Sequence, residues 1–155
     1  MNLHFTEGIF FEDQIFSAQM LLNSNLNIID SNRISYLYRQ NFNSISNTFS
    51  LKKGLDMIWV INNLYEVLRD KCIGTKYNEK EFWALPAYAF SYLTTIYNNV
   101  SKENQIILKN KINNDIKKKI FKTNSYRFQT DIQNKVFLFS PKILKILLKI
   151  YNGVK

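Results

Sequence analysis

The sequence predicts an α-rich α/β fold, with a mixed segment over residues 1–50 followed by a helical region over residues 51–155. Two short runs typical of strands lie within the first segment, and apolar side chains recur at helical spacing in the second. The chain of 155 residues contains four glycines and two prolines, which leaves long uninterrupted segments and favours helices over a fold with many turns.

The first segment contains one predicted helix and two predicted strands. Residues 12–23 carry a wide apolar face at helical spacing, and an Asn-rich run ends it. Residues 28–30 and 34–39 are apolar, β-branched or aromatic and predict strands, whereas 40–47 is a polar loop. One helix and two short strands cannot form a sheet of their own, so this segment is predicted to end a larger α/β arrangement.

The second region is predicted to be helical throughout its periodic parts. Pro86 is predicted to kink or divide a strongly aromatic helix, and Ser101 is predicted to N-cap a Lys-rich one. A Ser-Pro pair opens the last helix, as is common at helix starts. The predicted helices cover residues 54–70, 79–99, 101 to about 122, and 140–152.

Charge and residue counts restrict the function classes. The net charge of +9 arises mainly late in the chain and fits nucleic acid, an anionic membrane surface or anionic small molecules. The single cysteine, Cys72, excludes an internal disulfide and a Cys-based metal site, which favours a reducing compartment. The single histidine, His4, excludes a His-rich metal site. No apolar run reaches the roughly 18–20 residues of a spanning helix, so we expect a cytoplasmic or peripheral inner-membrane location.

Two motifs near the N-terminus carry a family resemblance. The run 6-TEGIFFEDQIFSAQMLLN-23 and the following 28-IIDSNRISYLYRQNFNSIS-46 resemble the C-terminal catalytic segment of bacterial family 2 glycosyltransferases, which carries Glu-Gly-Ile, Glu-Asp, Tyr-x-Tyr-Arg and Asn-Ser-Ile elements in this order. The matching residues are Glu7, Gly8, Ile9, Glu12, Asp13, Phe16, Tyr36, Tyr38, Arg39, Asn43, Ser44 and Ile45. The resemblance covers residues 5–47 and is only general beyond them.

The resemblance implies inverting transfer of a sugar from a nucleotide sugar to a saccharide acceptor, in capsule, lipooligosaccharide or other surface polysaccharide synthesis. Asp13 holds the position of the catalytic base, and Glu12 would help to hold the acceptor. A carboxylate at a helix N-terminus stays ionised and can accept the acceptor's proton. A guanidinium suits a diphosphate leaving group. The residues expected to bind substrate are Tyr38, Arg39, Gln40 and Ser44.

The family's donor site implies a further part of the enzyme. In the family, a parallel sheet with an Asp-x-Asp motif holds the nucleotide sugar through a divalent metal, and this chain contains no Asp-x-Asp. We therefore expect residues 1–50 to be the C-terminal part of a GT-A-like catalytic domain and 51–155 to be a helical C-terminal region. No cofactor is expected within this chain, and Mg²⁺ or Mn²⁺ is expected only in a complete enzyme.

Alternative interpretations remain open from the residues alone. Glu12 and Asp13 are also typical of an ordinary helix start. The aromatic side chains between residues 82 and 97 fit a core better than a sugar platform. The tail Lys142–Tyr151 fits either an anionic membrane surface or a cover for the domain's own core.

Two other functions are consistent with the composition. A non-catalytic remnant that binds a membrane or a partner through its basic aromatic helices is the alternative to the transferase. The basic run 117-KKKIFK-122 could contact nucleic acid, but no recognised binding motif accompanies it and no nucleic acid partner is expected.

Overall fold

The structure is a computed structural model that describes residues 5–22, 48–72, 84–122 and 127–153. Every regular element in these four ranges is an α-helix. In chain order they are α1 (Glu12–Leu21), α2 (Leu51–Cys72), α3 (Ala84–Asn99), α4 (Lys102–Lys111), α5 (Asn114–Lys122), α6 (Phe128–Phe139) and α7 (Pro141–Gly153).

The predicted α/β fold class, with its partial GT-A-like segment, is wrong for the part of the chain that the structure describes. Within the four described ranges, α1 packs against another helix, α2, and no strand is present to cover it. Ile15 and Ala18 of α1 are buried in the same hydrophobic cluster as the C-terminal helices. The predicted strands at 28–30 and 34–39 and the loop at 40–47 lie outside the described residues.

The core is built around α2 and α3, which pack along each other. Fully buried side chains from both helices, among them Ile61, Leu64 and Phe90, meet at its centre. Helix α4 packs on α2, α6 packs on α3, and α7 packs on α6. Because α1 and α3 both border α2, the start of α1 is held close to the middle of α3.

Three of the predicted helices are confirmed and one differs in detail. Helices α1, α2 and α7 match the predictions at 12–23, 54–70 and 140–152. The prediction at 79–99 is matched by α3 from Ala84 onward. Residues 79–83 lie outside the described residues, so the kink or division predicted at Pro86 stays a prediction.

The single helix predicted from 101 to about 122 is wrong, since the chain forms α4 and α5 with a break between them. The predicted cap at Ser101 is confirmed, because its hydroxyl accepts a hydrogen bond from the Asn104 amide at 3.3 Å. The break occurs at Asn113, whose side-chain oxygen accepts from the Ile116 amide at 2.9 Å. Asn113 thus starts a new helix, as short polar side chains commonly do.

Helix α6 was not predicted, yet it supplies a central part of the core. The ring of Phe137 makes edge contacts with Phe90 at 5.7 Å and with Tyr97 at 5.0 Å between ring centroids. Polar contacts add to this, since the Asn134 amide nitrogen donates to the Ala87 carbonyl at 2.8 Å. These contacts fix α6 on α3, and they place part of the aromatic stretch in the core as expected.

Gly54 allows α2 and α4 to approach closely. A Cβ atom at this position would lie 2.6 Å from a methyl carbon of Leu108, which is fully buried. We expect Gly54→Ala to lower the free energy of unfolding by about 1–2 kcal/mol, because the overlap outweighs the better helix propensity of alanine. Urea denaturation followed by circular dichroism measures this change.

The matched control places the same exchange in a Leu108→Ala background. There the overlap is absent, so Gly54→Ala is expected to raise stability by up to about 1 kcal/mol, the difference in helix propensity. A reversal of sign between the two backgrounds supports the close contact. The same loss in both backgrounds contradicts it.

Candidate functional site

A cleft of about 610 Å³ opens beside the start of α1, and we call it the N-terminal cleft. Both carboxylates that the resemblance assigns to catalysis lie on its wall. The lining comes from the turn before α1, from the first turn of α2 and from the middle of α3: Gly8, Ile9, Phe10, Phe11, Glu12, Asp13, Lys52, Lys53 and Tyr92.

A second cleft, of about 400 Å³, lies between α1, α2 and α3, and we call it the α1–α3 cleft. It shares Asp13 and Tyr92 with the N-terminal cleft. Its remaining lining is mostly apolar or aromatic and includes Leu21, Leu85 and Tyr88. Asp13 therefore borders two clefts of different character, one with lysines and one with apolar surface.

The turn leading into α1 contains two residues with left-handed backbone. Gly8 has φ +76°, which a glycine adopts at no steric cost. Phe11 has φ 66° and ψ 25°, a conformation that costs a residue with a Cβ about 1–2 kcal/mol. The ring of Phe11 meets the Tyr92 ring edge-on at 5.3 Å, and this contact helps to hold the turn.

The same turn is anchored to α2 by a carboxylate and a lysine. The Phe10 amide donates to Asp56 Oδ2 at 3.0 Å, and Lys52 Nζ donates to the Gly8 carbonyl at 2.7 Å. Lys52 Nζ also pairs with Asp56 Oδ2 at 2.6 Å. Asp56 is buried whereas the Lys52 side chain is 57% exposed, so the pair is only partly shielded from water, and its hydrogen bonds tie the Glu-Asp start to α2.

Lys53 is unusual among the lysines because only 3% of the residue is exposed. Its ammonium group donates to the backbone carbonyl and to the hydroxyl of Thr48. Burial lowers the pKa of Lys53, because desolvation disfavours its charged form. The ammonium groups of Lys52 and Lys53 lie 4.9 and 5.4 Å from the centre of the Phe10 ring, which brings both cations to one side of the cleft.

The two carboxylates differ in their access to solvent. Asp13 is exposed and Glu12 is half-buried, and both lie in the first turn of α1. Within the described ranges, neither carboxylate pairs with a lysine or accepts a side-chain hydrogen bond. An accessible carboxylate on the wall of a cleft can accept a proton from a bound hydroxyl group.

The structure thus brings part of the predicted site together. Glu12 and Asp13 share the N-terminal cleft, whereas the predicted substrate-binding residues Tyr38, Arg39, Gln40 and Ser44 lie outside the described residues. Sequence reasoning did not assign Lys52, Lys53 or Tyr92 to the site. The two adjacent lysines near the start of α2 can be seen in the sequence. Their contacts with the turn before α1 cannot be predicted from it, because these contacts join positions more than 40 residues apart.

Within the described ranges, no three His, Cys, Asp or Glu side chains lie close enough together to hold a metal ion. Searches of protein-family models, of curated proteins and of solved structures found no match to this chain. None of the described helices has the length and apolar character needed to cross a membrane.

Proposed function

We propose that this chain is the acceptor-side segment of an inverting glycosyltransferase that uses a nucleotide sugar and a saccharide acceptor. The observation that carries the proposal is the position of Asp13, an exposed carboxylate in the first turn of α1 at the junction of two clefts. Its place in the Glu-Gly-Ile and Glu-Asp pattern of family 2 glycosyltransferases supports the same role.

In this proposal Asp13 acts as the general base. Its carboxylate accepts the proton of an acceptor hydroxyl while that oxygen attacks the anomeric carbon of the donor sugar. The bond from the anomeric carbon to the diphosphate breaks, and the nucleoside diphosphate leaves with the electron pair. Attack from the opposite face inverts the anomeric configuration, and the proton ends on Asp13.

The two clefts suit the two sides of this reaction. Tyr88 and Tyr92 give the α1–α3 cleft aromatic surface, on which the apolar face of a sugar ring can pack. Lys52 places an exposed ammonium group at the N-terminal cleft, which would contact the diphosphate side. Glu12, half-buried next to Asp13, would hold an acceptor hydroxyl. The resemblance places the donor site in another segment, so the proposal includes a partner that binds the nucleotide sugar.

The test is made in the organism that encodes the chain, because donor, acceptor and any partner segment are then all present. Deletion of the coding sequence is expected to shorten the surface glycan at one sugar, and a plasmid copy should restore it. Gel mobility and mass spectrometry of the isolated glycan measure the change. An unchanged glycan in the deletion strain would overturn the proposal and favour the non-catalytic interaction module.

A further inference from the structure

The last helix presents a second apolar face to solvent. Leu144 is buried against the core and Leu148 is partly buried against it. The other large aliphatic side chains of this helix are exposed, and we call them the α7 stripe: Ile143 (43%), Ile146 (59%), Leu147 (45%) and Ile150 (58%). The helix thus covers the core with one side, as one sequence interpretation expected, and leaves a different apolar side uncovered.

The lysines of α7 border this stripe. At about 100° per residue, the α7 stripe covers an arc of about 100°, and the lysines occupy an adjacent arc of about 60°. These exposed lysines are Lys142, Lys145 and Lys149, and α7 contains no acidic residue. An apolar strip flanked by cations is the arrangement of helices that lie in the interface of an anionic membrane.

The surface next to the α7 stripe also combines apolar and basic side chains. Phe139, which ends α6 just before α7, is 83% exposed. A cleft of about 180 Å³ lies at the α6–α7 junction, where Lys109, Lys117 and Lys142 converge and no acidic residue contributes to the lining. The three lysines line a small cleft that lies beside an exposed aromatic ring. This arrangement suits the phosphate of a lipid headgroup.

The positive charge of the chain is concentrated in the C-terminal third of its sequence. Residues 102–155 contain 13 Lys and Arg against 3 Asp and Glu, whereas residues 1–101 contain 8 against 9. The net charge of +9 therefore belongs to the part that contains α4 to α7. A region with this excess of positive charge is attracted to an anionic surface.

We propose that the α7 stripe, with Phe139 and the lysine cleft at the α6–α7 junction, docks the protein on an anionic lipid bilayer. The aliphatic side chains would enter the boundary between headgroups and acyl chains, and the lysines would contact the lipid phosphates. Charge complementarity favours a lipid surface, since three lysines lie beside the apolar stripe and a purely apolar protein partner would not require them. This proposal does not depend on sugar transfer.

Vesicle flotation tests the proposal on the full chain. Binding is expected with vesicles that contain phosphatidylglycerol, and it should weaken with added salt and be at least tenfold weaker with phosphatidylcholine alone. Because each lysine near an anionic surface contributes about fivefold, Lys145→Gln/Lys149→Gln should weaken binding by about 25-fold. The control Lys102→Gln/Lys111→Gln removes equal charge from exposed positions on α4 and should weaken binding several-fold less.

The apolar part is tested with matched double variants. Ile146→Asp/Ile150→Asp is expected to abolish detectable binding. The control is Ile106→Asp/Ile107→Asp, which adds the same charge at residues 62% and 41% exposed on α4, and it should retain most of the binding. All four positions are exposed, so both variants should keep the helical circular dichroism of the parent.

A site-specific probe reports insertion directly. With Cys72 replaced by serine, the chain has no other cysteine, and an environment-sensitive fluorophore can be attached at Ile146→Cys or at Ile106→Cys. Anionic vesicles should raise and blue-shift the fluorescence only at position 146. Equal binding to neutral vesicles, equal losses in both double variants, or a dimer that Ile146→Asp/Ile150→Asp dissociates would each overturn the proposal, the last by assigning the stripe to a second copy.

Discussion

Asp13→Asn is expected to slow sugar transfer by a factor of about 10²–10⁴, the range that a positioned general base contributes. The amide keeps nearly the same shape but cannot accept the proton of the acceptor hydroxyl at neutral pH. Because Asp13 is exposed, the exchange should leave the fold intact. The measurement is the initial rate of transfer onto glycan isolated from the deletion strain, with lysate of that strain supplying the donor-binding partner.

Two control variants distinguish the loss of the proposed base from the general effect of removing an acidic side chain. Glu103→Gln removes an acid from the first turn of α4, so it loses the same interaction with a helix dipole, worth about 0.3–1 kcal/mol, without touching either cleft. Its transfer rate should equal that of the parent. Glu12→Gln should weaken acceptor binding and raise KM more than it lowers kcat. A parental rate for Asp13→Asn would refute the assigned role of Asp13.

The acidic start of α1 could be predicted from the sequence, but the cleft around it could not. Glu12 and Asp13 precede a periodic apolar run, and acidic side chains favour the first turn of a helix, so local rules place them at an N-terminus. Lys52 and Tyr92 reach the same cleft only because α2 and α3 pack together. Such contacts depend on the tertiary arrangement, and local sequence patterns carry no information on it.

Lys53 shows a second limit of sequence reasoning. Lysines are almost always solvated, so a pair of lysines at a helix start predicts an exposed basic surface. Lys53 is buried instead, because Thr48 offers both a carbonyl and a hydroxyl to its ammonium group. These hydrogen bonds to a residue five positions earlier compensate for the loss of water around the ammonium group and so permit its burial. Composition alone does not reveal them.

The predicted fold class was wrong because a local sequence pattern identifies a helix but not the element that packs against it. Helix α1 was correctly predicted, but of its apolar residues only Ile15 and Ala18 are buried, and their pattern does not specify whether a helix or a sheet covers them. Helix α6 was missed because 128-FQTDIQNKVFLF-139 combines aromatic and β-branched residues with polar ones and lacks a side-chain cap. Its packing on α3 through Phe137 stabilises a helix that propensity alone favours only weakly.

Phe137→Ala should therefore have a large effect on stability, with the free energy of unfolding falling by about 3–5 kcal/mol. Only 3% of Phe137 is exposed, and its ring contacts both Phe90 and Tyr97. Removal of the ring leaves a cavity and ends two edge-to-face contacts, each worth about 0.5–1.5 kcal/mol beyond the area that it buries. Urea denaturation measures the loss.

Phe139→Ala is the matched control, because it removes the same ring two residues later in the same helix. Phe139 is 83% exposed, so its truncation should change stability by less than about 0.5 kcal/mol. For binding to anionic vesicles the order of the effects should be reversed. The Phe139→Ala protein, although it is folded, should bind more weakly than the parent. Equal stability losses in the two variants would contradict the packing of α6 on α3.

Hydrogen exchange would show where the Phe137→Ala protein loosens. Helix α7 packs on α6 and buries Leu144, so α7 depends on α6 for its place on the core. Amides of α6 and α7 should exchange faster in the variant, while those of α2 and α3 change less because their own contact remains. Because no residue of α6 lines the N-terminal cleft, this separation also predicts that Asp13 keeps its surroundings when α6 and α7 are destabilised.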